Sequence, residues 1–203
     1  NPLGLDWAPG TRILWTVVNE RDGLGDDLVP DYLTSVREGA FYGWPYAYWG
    51  RHEDPRQRGR RPDLVARSIA PDFALGAHTA SLGLAFYRGS AFPGRYRGGA
   101  FIGQRGSWNR SGLAGYRVLF VPFERGRPSG PAEDFLTGFL ADSAAGTISL
   151  STLAPRLPPT TSMRSGPLRP SKRTSGSARF NLFTASTAWV RLVTLSAFMI
   201  AVI

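Results

Sequence analysis

Apolar residues in this chain fall into short runs broken by glycine, proline and charge, a pattern of brief strands rather than helices. Leu3 to Trp7 and Arg12 to Val18 predict two strands joined by a turn at Pro9-Gly10-Thr11, and Asp31 to Val36 predicts a third. From Ser81 the pattern sharpens. Leu82 to Tyr87, Ala100 to Gln104, Tyr116 to Phe123 and Asp134 to Phe139 predict four more strands, with turns at Gly94, Gly112 and Pro128 to Pro131. Four strands at this spacing make one blade of a propeller-type sheet. Leu3-Gly4-Leu5-Asp6-Trp7 reappears 79 residues later as Leu82-Gly83-Leu84-Ala85-Phe86. That interval is long for a blade of roughly 40–50 residues. A loop over Arg51 to Ala77 would absorb the excess, so the expectation is about two blades, the first with a long insertion.

Two segments between the strands have distinct characters. Phe41 to Trp49, FYGWPYAYW, is either edge-strand and core packing or a stacking wall for a flat ligand. Arg51 to Arg61, RHEDPRQRGRR, reads as a solvated loop with His52 facing water. No aromatics interleave its arginines as a nucleic-acid groove would require. The formal net charge of +9 looks basic until it is divided along the chain. Residues 1–142 carry +2 and residues 143–203 carry +7, so the strand-rich part offers no electrostatic reason to expect DNA or RNA. There is no cysteine, hence no disulfide framework and no thiolate metal site. Neither a G-x-S-x-G nor a G-x-G-x-x-G word occurs.

The densest candidate chemistry is Asn19 to Leu28, NERDGLGDDL, at the end of an apolar run. It places Glu20, Asp22, Asp26 and Asp27 around Gly23 and Gly25. Glycines let the backbone turn with positive φ, and carboxylates with turned-in carbonyls are the oxygen ligands that calcium takes. The spacing is not that of a twelve-residue EF-hand loop. On spacing alone the stretch is either a solvated acidic turn or a metal or cofactor loop.

The run NPLGLDW…LWTVVNERDGLGDDLVPDYL…FYGWPY…HTASLGLAFYRG…FPGRYRGGAFIGQRGSWNRS…GYRVLFVPF closely resembles the glucose/sorbosone dehydrogenase family, of the soluble aldose sugar dehydrogenase type. The resemblance covers residues 1–142. It implies an all-β fold, a fragment of a six-bladed β-propeller comprising about two blades of four-stranded antiparallel sheet. It also implies oxidation of a sugar hydroxyl or aldehyde with pyrroloquinoline quinone (PQQ) and calcium, and a periplasmic or secreted location. Carried over residue by residue, the calcium loop puts two main-chain carbonyl ligands at Asp22 and Gly23. Asp26 and Asp27 match the carboxylate pair that follows them. Asn1 falls on a cofactor-contacting position, and Arg110, in the loop word Ser107 to Arg110, is a candidate cofactor contact or part of a plain turn. Arg105 stands where the family more often has histidine. His78 matches a word at the blade entry, where a structural hydrogen-bonding role is the plainer reading. The family's general-base histidine belongs to an earlier blade with no counterpart here. This chain alone is therefore expected to be inactive.

Beyond Asp142 the resemblance stops. Residues 143–203 hold no acid, are rich in Ser, Thr and Pro, and read as a largely disordered basic tail with an apolar end. A frame shift near Ser143 accounts for this composition better than an evolved domain, and the start inside a family word reads as that of a fragment. Phe180 to Ile203 does not read as a membrane span, because Arg191 interrupts it and the rest is short of the roughly 17–25 residues required. The alternative function is a non-enzymatic propeller-derived binding module with a basic disordered tail.

Overall fold

A computed structural model describes residues 1–107, 109–142 and 147–148. The tail read above as disordered, and its apolar end, otherwise lie outside the described residues. Strands β1 (Pro2–Trp7), β2 (Leu14–Val18) and β3 (Pro30–Ser35) run antiparallel in sequence order. An insertion follows, with the short pair β4 (Ala47–Tyr48) and β5 (His52–Glu53), a 3-10 turn at Pro55–Gln57, and helix α1 (Pro62–Arg67). Pro62 opens α1 with its φ already set, while Asp63 in the first turn and Arg67 in the last complement its dipole. The chain then returns as β6 (Phe73–Ala77) to complete a sheet of order β1-β2-β3-β6.

The second sheet begins after a connection of three residues, His78 to Ala80. It holds β7 (Ser81–Phe86), β8 (Ala100–Gln104) and β9 (Arg117–Val121), then a small hairpin of β10 (Phe123–Glu124) and β11 (Arg127–Pro128), and closes with β12 (Glu133–Leu136). Its order is β12-β9-β8-β7. A last pair, β13 (Leu140–Asp142) with β14 (Thr147–Ile148), follows. The described residues are thus two four-stranded antiparallel blades with almost no helix, as the sequence pattern predicted. Among them no helix is long and apolar enough to cross a membrane.

The alternating strand pattern divides each blade into two faces. Trp15, Val17, Leu33 and Leu75 of the first blade meet Phe86, Ala100, Ile102, Leu119 and Val121 of the second in one core between the sheets. The intervening positions of blade 2, Phe101, Val118 and Phe120, turn to its far side. There Tyr87, Tyr96 and Leu136 cover them, with Phe92, Phe135 and Phe139 packed around. β1 and β7 are the adjoining strands. A Cβ on Gly4 would lie 2.5 Å from Leu84 N, so only glycine allows this approach.

Two expectations need correction. The segment Arg51 to Ala77 is not all loop: it contains α1, and its last five residues are β6, the fourth strand of blade 1. The alternation Phe-Ala-Leu-Gly-Ala was too weakly apolar to signal a strand. The charged run Arg51 to Arg61 is not uniformly solvated either. His52 is exposed as expected, but Asp54 is 1% exposed, because it caps the 3-10 turn through Arg56 N and faces Arg21.

Candidate functional site

The acidic stretch Asn19 to Leu28 leaves the end of β2 and returns to β3, where Asn19 N still pairs with Asn1 O. Gly23 and Gly25 take φ of 88° and 92°, conformations that a side chain would resist. The turn is held from four sides by residues distant in sequence.

His78 holds it from the turn between the blades. Its Nδ1 lies 3.0 Å from Asp22 Oδ1 and its Nε2 2.8 Å from Gly25 O. Both ring nitrogens thus face oxygen atoms of the loop. The residue is buried and sits at φ 56°, with Ala80 at φ 50°, a left-handed pair that aims the imidazole back at the loop.

Asp31 holds the other end. It is 1% exposed, accepts Glu20 N at 3.0 Å and Ser81 N at 2.8 Å, and receives the Thr79 hydroxyl at 3.0 Å. Burial pushes its carboxyl above the usual range, against the pull of the Ser81 and Glu20 amides. Glu20 is likewise raised by burial, opposed by the Arg21 amide. Gln104 extends the network, donating to Leu75 O, Thr79 Oγ1 and Ser81 Oγ and accepting from Arg117 Nε.

Arg21 anchors the loop to the insertion. Its Nε is 3.1 Å from Asp54 Oδ2 in a pair with 5% and 1% side-chain exposure, and its buried Nη1 has no acceptor among the described residues. Losing one member of such a pair leaves an unpaired buried charge.

The loop between β8 and β9 closes the fourth side. Arg110 donates to Asp26 O at 2.8 Å and to Asp27 Oδ1 at 3.3 Å, and Ser111 N donates to Asp26 Oδ2 at 3.0 Å. Hydrogen bonds from Ser111 hold the Asp26 carboxyl below the usual range. Ser107 shapes this loop by donating its N–H to Ala114 O and accepting Ala114 N, while Tyr116 Oη bonds Ser107 O. Arg105 N donates to Ala80 O.

The structure therefore brings Asp22, Gly23, Asp26, Asp27 and Arg110 together, with Asn1 beside Asn19. Asp27 is 90% exposed, and Arg110 is turned onto the loop itself. Trp108 lies outside the described residues. Of the aromatic run, Tyr42 stacks on Tyr32 and Trp49 meets the same ring edge-on, so these two pack on blade 1, while Trp44 is 60% exposed.

The loop offers main-chain oxygens, not a cluster of side chains, as candidate ligands for a hard cation. Among the described residues no group of three His, Cys, Asp or Glu side chains is placed to hold a metal. Asp22 Oδ1, Gly25 O and Asp26 O are engaged by His78 and Arg110, whereas no main-chain hydrogen bond among the described residues ends on the carbonyl of Asp22 or Gly23. Those two oxygens are the kind of ligand calcium accepts. Sequence reasoning missed Asp31, Arg21 and Asp54 as supports. An acid at the start of an apolar strand was the available signal for Asp31.

Comparison with known proteins agrees with this architecture. Residues 60–139 match the family described as TrAA12-like. An uncharacterised protein of Borreliella burgdorferi is 33% identical over 142 residues, spanning 69% of this chain and 37% of that protein. The calcium structure of a Trichoderma reesei carbohydrate-active enzyme of family AA12 superposes with a TM-score of 0.54 at 23% identity, over 67% of this chain and 42% of the enzyme. The holo form of the pyranose dehydrogenase PQQ domain from Coprinopsis cinerea gives 0.52 at 19% identity, over 68% and 43%. The chain shares the fold of part of the two solved proteins, and it spans less than half the length of each of the three.

Proposed function

We propose that this chain is part of a quinoprotein sugar dehydrogenase of propeller type, and that the loop Asn19 to Leu28 is its calcium and cofactor seat. The observation that carries this reading is the convergence of His78, Asp31, the Arg21–Asp54 pair and Arg110 on one glycine turn, leaving the Asp22 and Gly23 carbonyls without a main-chain donor among the described residues. The bound quinone would supply hydride acceptance from a sugar hydroxyl or aldehyde, with calcium polarising its oxygens.

The residues of this chain do the positioning. Asp22 and Gly23 would hold calcium by their carbonyls. Asp26 and Asp27 keep the turn in shape through Ser111 and Arg110, and Asn1 pins its start. Arg110 would contact the cofactor only by giving up its bonds to Asp26 O and Asp27 Oδ1, so in this arrangement it acts as a brace of the loop. His78 is unsuited to proton abstraction, since both ring nitrogens are committed and it is 4% exposed. We assign no general base to the described residues. The substrate class is an aldose or a sorbosone-like sugar, and the location periplasmic or secreted.

Calorimetry of the full chain with PQQ, with and without calcium, tests the seat; dye-linked sugar oxidation in the same mixtures tests turnover. The expected result is weak PQQ binding that requires calcium, and no turnover. Absence of PQQ binding at every calcium concentration overturns the proposal, and measurable sugar oxidation overturns the assignment of no base.

A further inference from the structure

The acidic loop lies at one end of blade 1, and the other end holds a basic cavity. β2 begins there and β3 ends there, with Trp15 paired to Ser35. The β10–β11 hairpin of blade 2 reaches across to it. A Cβ on Gly126, at φ 75°, would stand 2.8 Å from Thr11 Cγ2 and 3.3 Å from Ile13 Cδ1, so glycine lets the hairpin close against blade 1. The space left between them is about 260 Å³ and is lined by Arg12, Arg37, Arg127, Trp15, Ser35 and Gly126, among others.

Three arginines, all solvent-exposed, line this cavity, and among the described residues no carboxylate does. Arg37 is already engaged: its Nη2 is 2.8 Å from Asp72 Oδ1 and its Nε donates to Ser35 Oγ. The guanidinium groups of Arg12 and Arg127 make no hydrogen bond or ion pair with a described residue. At the cavity's inner wall Trp15 is 1% exposed, and its indole N–H is buried with no acceptor. Buried indole donors ordinarily find one. Two uncommitted guanidinium forks on one concave surface suit oxygen acceptors carrying negative charge.

The geometry points to a binding site for a compact oxyanion bearing two or more negative charges, of the phosphoryl or polycarboxylate class. The volume lies just under the range of about 300–1,000 Å³ found for small-molecule pockets, which limits the ligand to a few heavy atoms beyond its charged groups. Arg12 and Arg127 would grip it by paired N–H bonds, with Trp15 at the wall as the reporter of occupancy. No residue of this site belongs to the acidic loop, so it stands or falls separately from the proposed dehydrogenase reading.

The test is a titration of the isotopically labelled full chain with pyrophosphate and, separately, citrate at constant ionic strength. The Trp15 indole N–H resonance is followed, identified by its loss in Trp15→Phe. The expected result is a saturable shift in the millimolar range with one or both anions. It should weaken at least tenfold in the Arg12→Ala/Arg127→Ala double variant and change less than twofold in Arg58→Ala/Arg60→Ala, which removes two exposed arginines of the insertion. A response to one anion alone assigns its class. A saturable shift with neither anion, or equal weakening in the two double variants while both keep the parent melting temperature, overturns the proposal.

Discussion

The two copies of the inner-strand word meet opposite surroundings. In blade 2, Leu84 packs against the interblade core and Phe86 is 3% exposed, because the back of blade 1 covers them. In blade 1 their counterparts Leu5 and Trp7 face away from blade 2 and are 56% and 53% exposed, with Leu3 beside them at 47%. The fourth position differs as well. Asp6 turns toward blade 2, where it accepts Phe86 N at 2.7 Å and pairs with Arg88 at 2.9 Å, whereas Ala85 turns to the far face of its own blade. One word thus serves two positions. In blade 2 its apolar residues face blade 1, and in blade 1 its fourth residue faces blade 2. The acid of blade 1 is met by a strand amide and an arginine of blade 2.

The seam should break most readily at Asp31, which joins blade 1 to the first residue of β7. Asp31→Ala strands two amides and a hydroxyl, each costing about 1–3 kcal/mol when buried without a partner. A loss of about 3 kcal/mol or more in denaturant unfolding is expected. Gly4→Ala should follow at about 2 kcal/mol, since the new methyl meets backbone at Leu84 rather than a movable side chain.

Asp6→Asn should cost about 1 kcal/mol at neutral pH and alter the acid profile. Partial burial pushes the Asp6 carboxyl up, but Arg88 and the Phe86 and Trp7 amides outweigh it and leave it below the usual range. Its contribution is therefore present above the unfolded value of about 4 and is lost as pH falls through the lower folded value. Asp31 and Glu20, raised by burial, act with the opposite sign and favour the fold as pH falls, whereas Asp26, Asp63 and Asp72 are lowered and act with Asp6. Melting curves in this range should show a smaller acid loss in Asp6→Asn than in the parent.

The smallest effect separates the two copies most cleanly. Leu5→Ser should stay within about 0.5 kcal/mol, as an exposed substitution does, while Leu84→Ser should cost about 2 kcal/mol or more. Equal costs would show that the two copies are not distinguished by what covers them.

Much of the fold was legible because strand alternation is local. The seven predicted strands all appear, with ends moved by a few residues. β6 was not legible, since Ala74, Gly76 and Ala77 carry too little apolar surface for its register to show in one dimension. The acidic loop was legible as chemistry, because four acids around two glycines are visible in a line. Its supports were not. His78, Asp54 and Arg110 reach it only once the blades are folded, from 53 to 56 residues away in the case of His78. Asp54 shows the limit best: surrounded by arginines in sequence, it looks solvated, yet one of its partners is Arg21 across the fold.

The central claim is that folded-in supports, rather than acidic content, make the loop a calcium seat. Calorimetric titration of calcium into the full chain tests it directly. Binding should be weak, on the order of millimolar as in extracellular calcium sites. It should weaken severalfold in His78→Ala and in Asp54→Asn, and modestly in Asp27→Asn, whose 90% exposed side chain can be changed without unfolding the loop. Asp63→Asn, in the exposed pair with Arg61, should leave it unchanged. Submicromolar affinity, or an Asp63→Asn effect equal to those of His78→Ala and Asp54→Asn, would contradict the account.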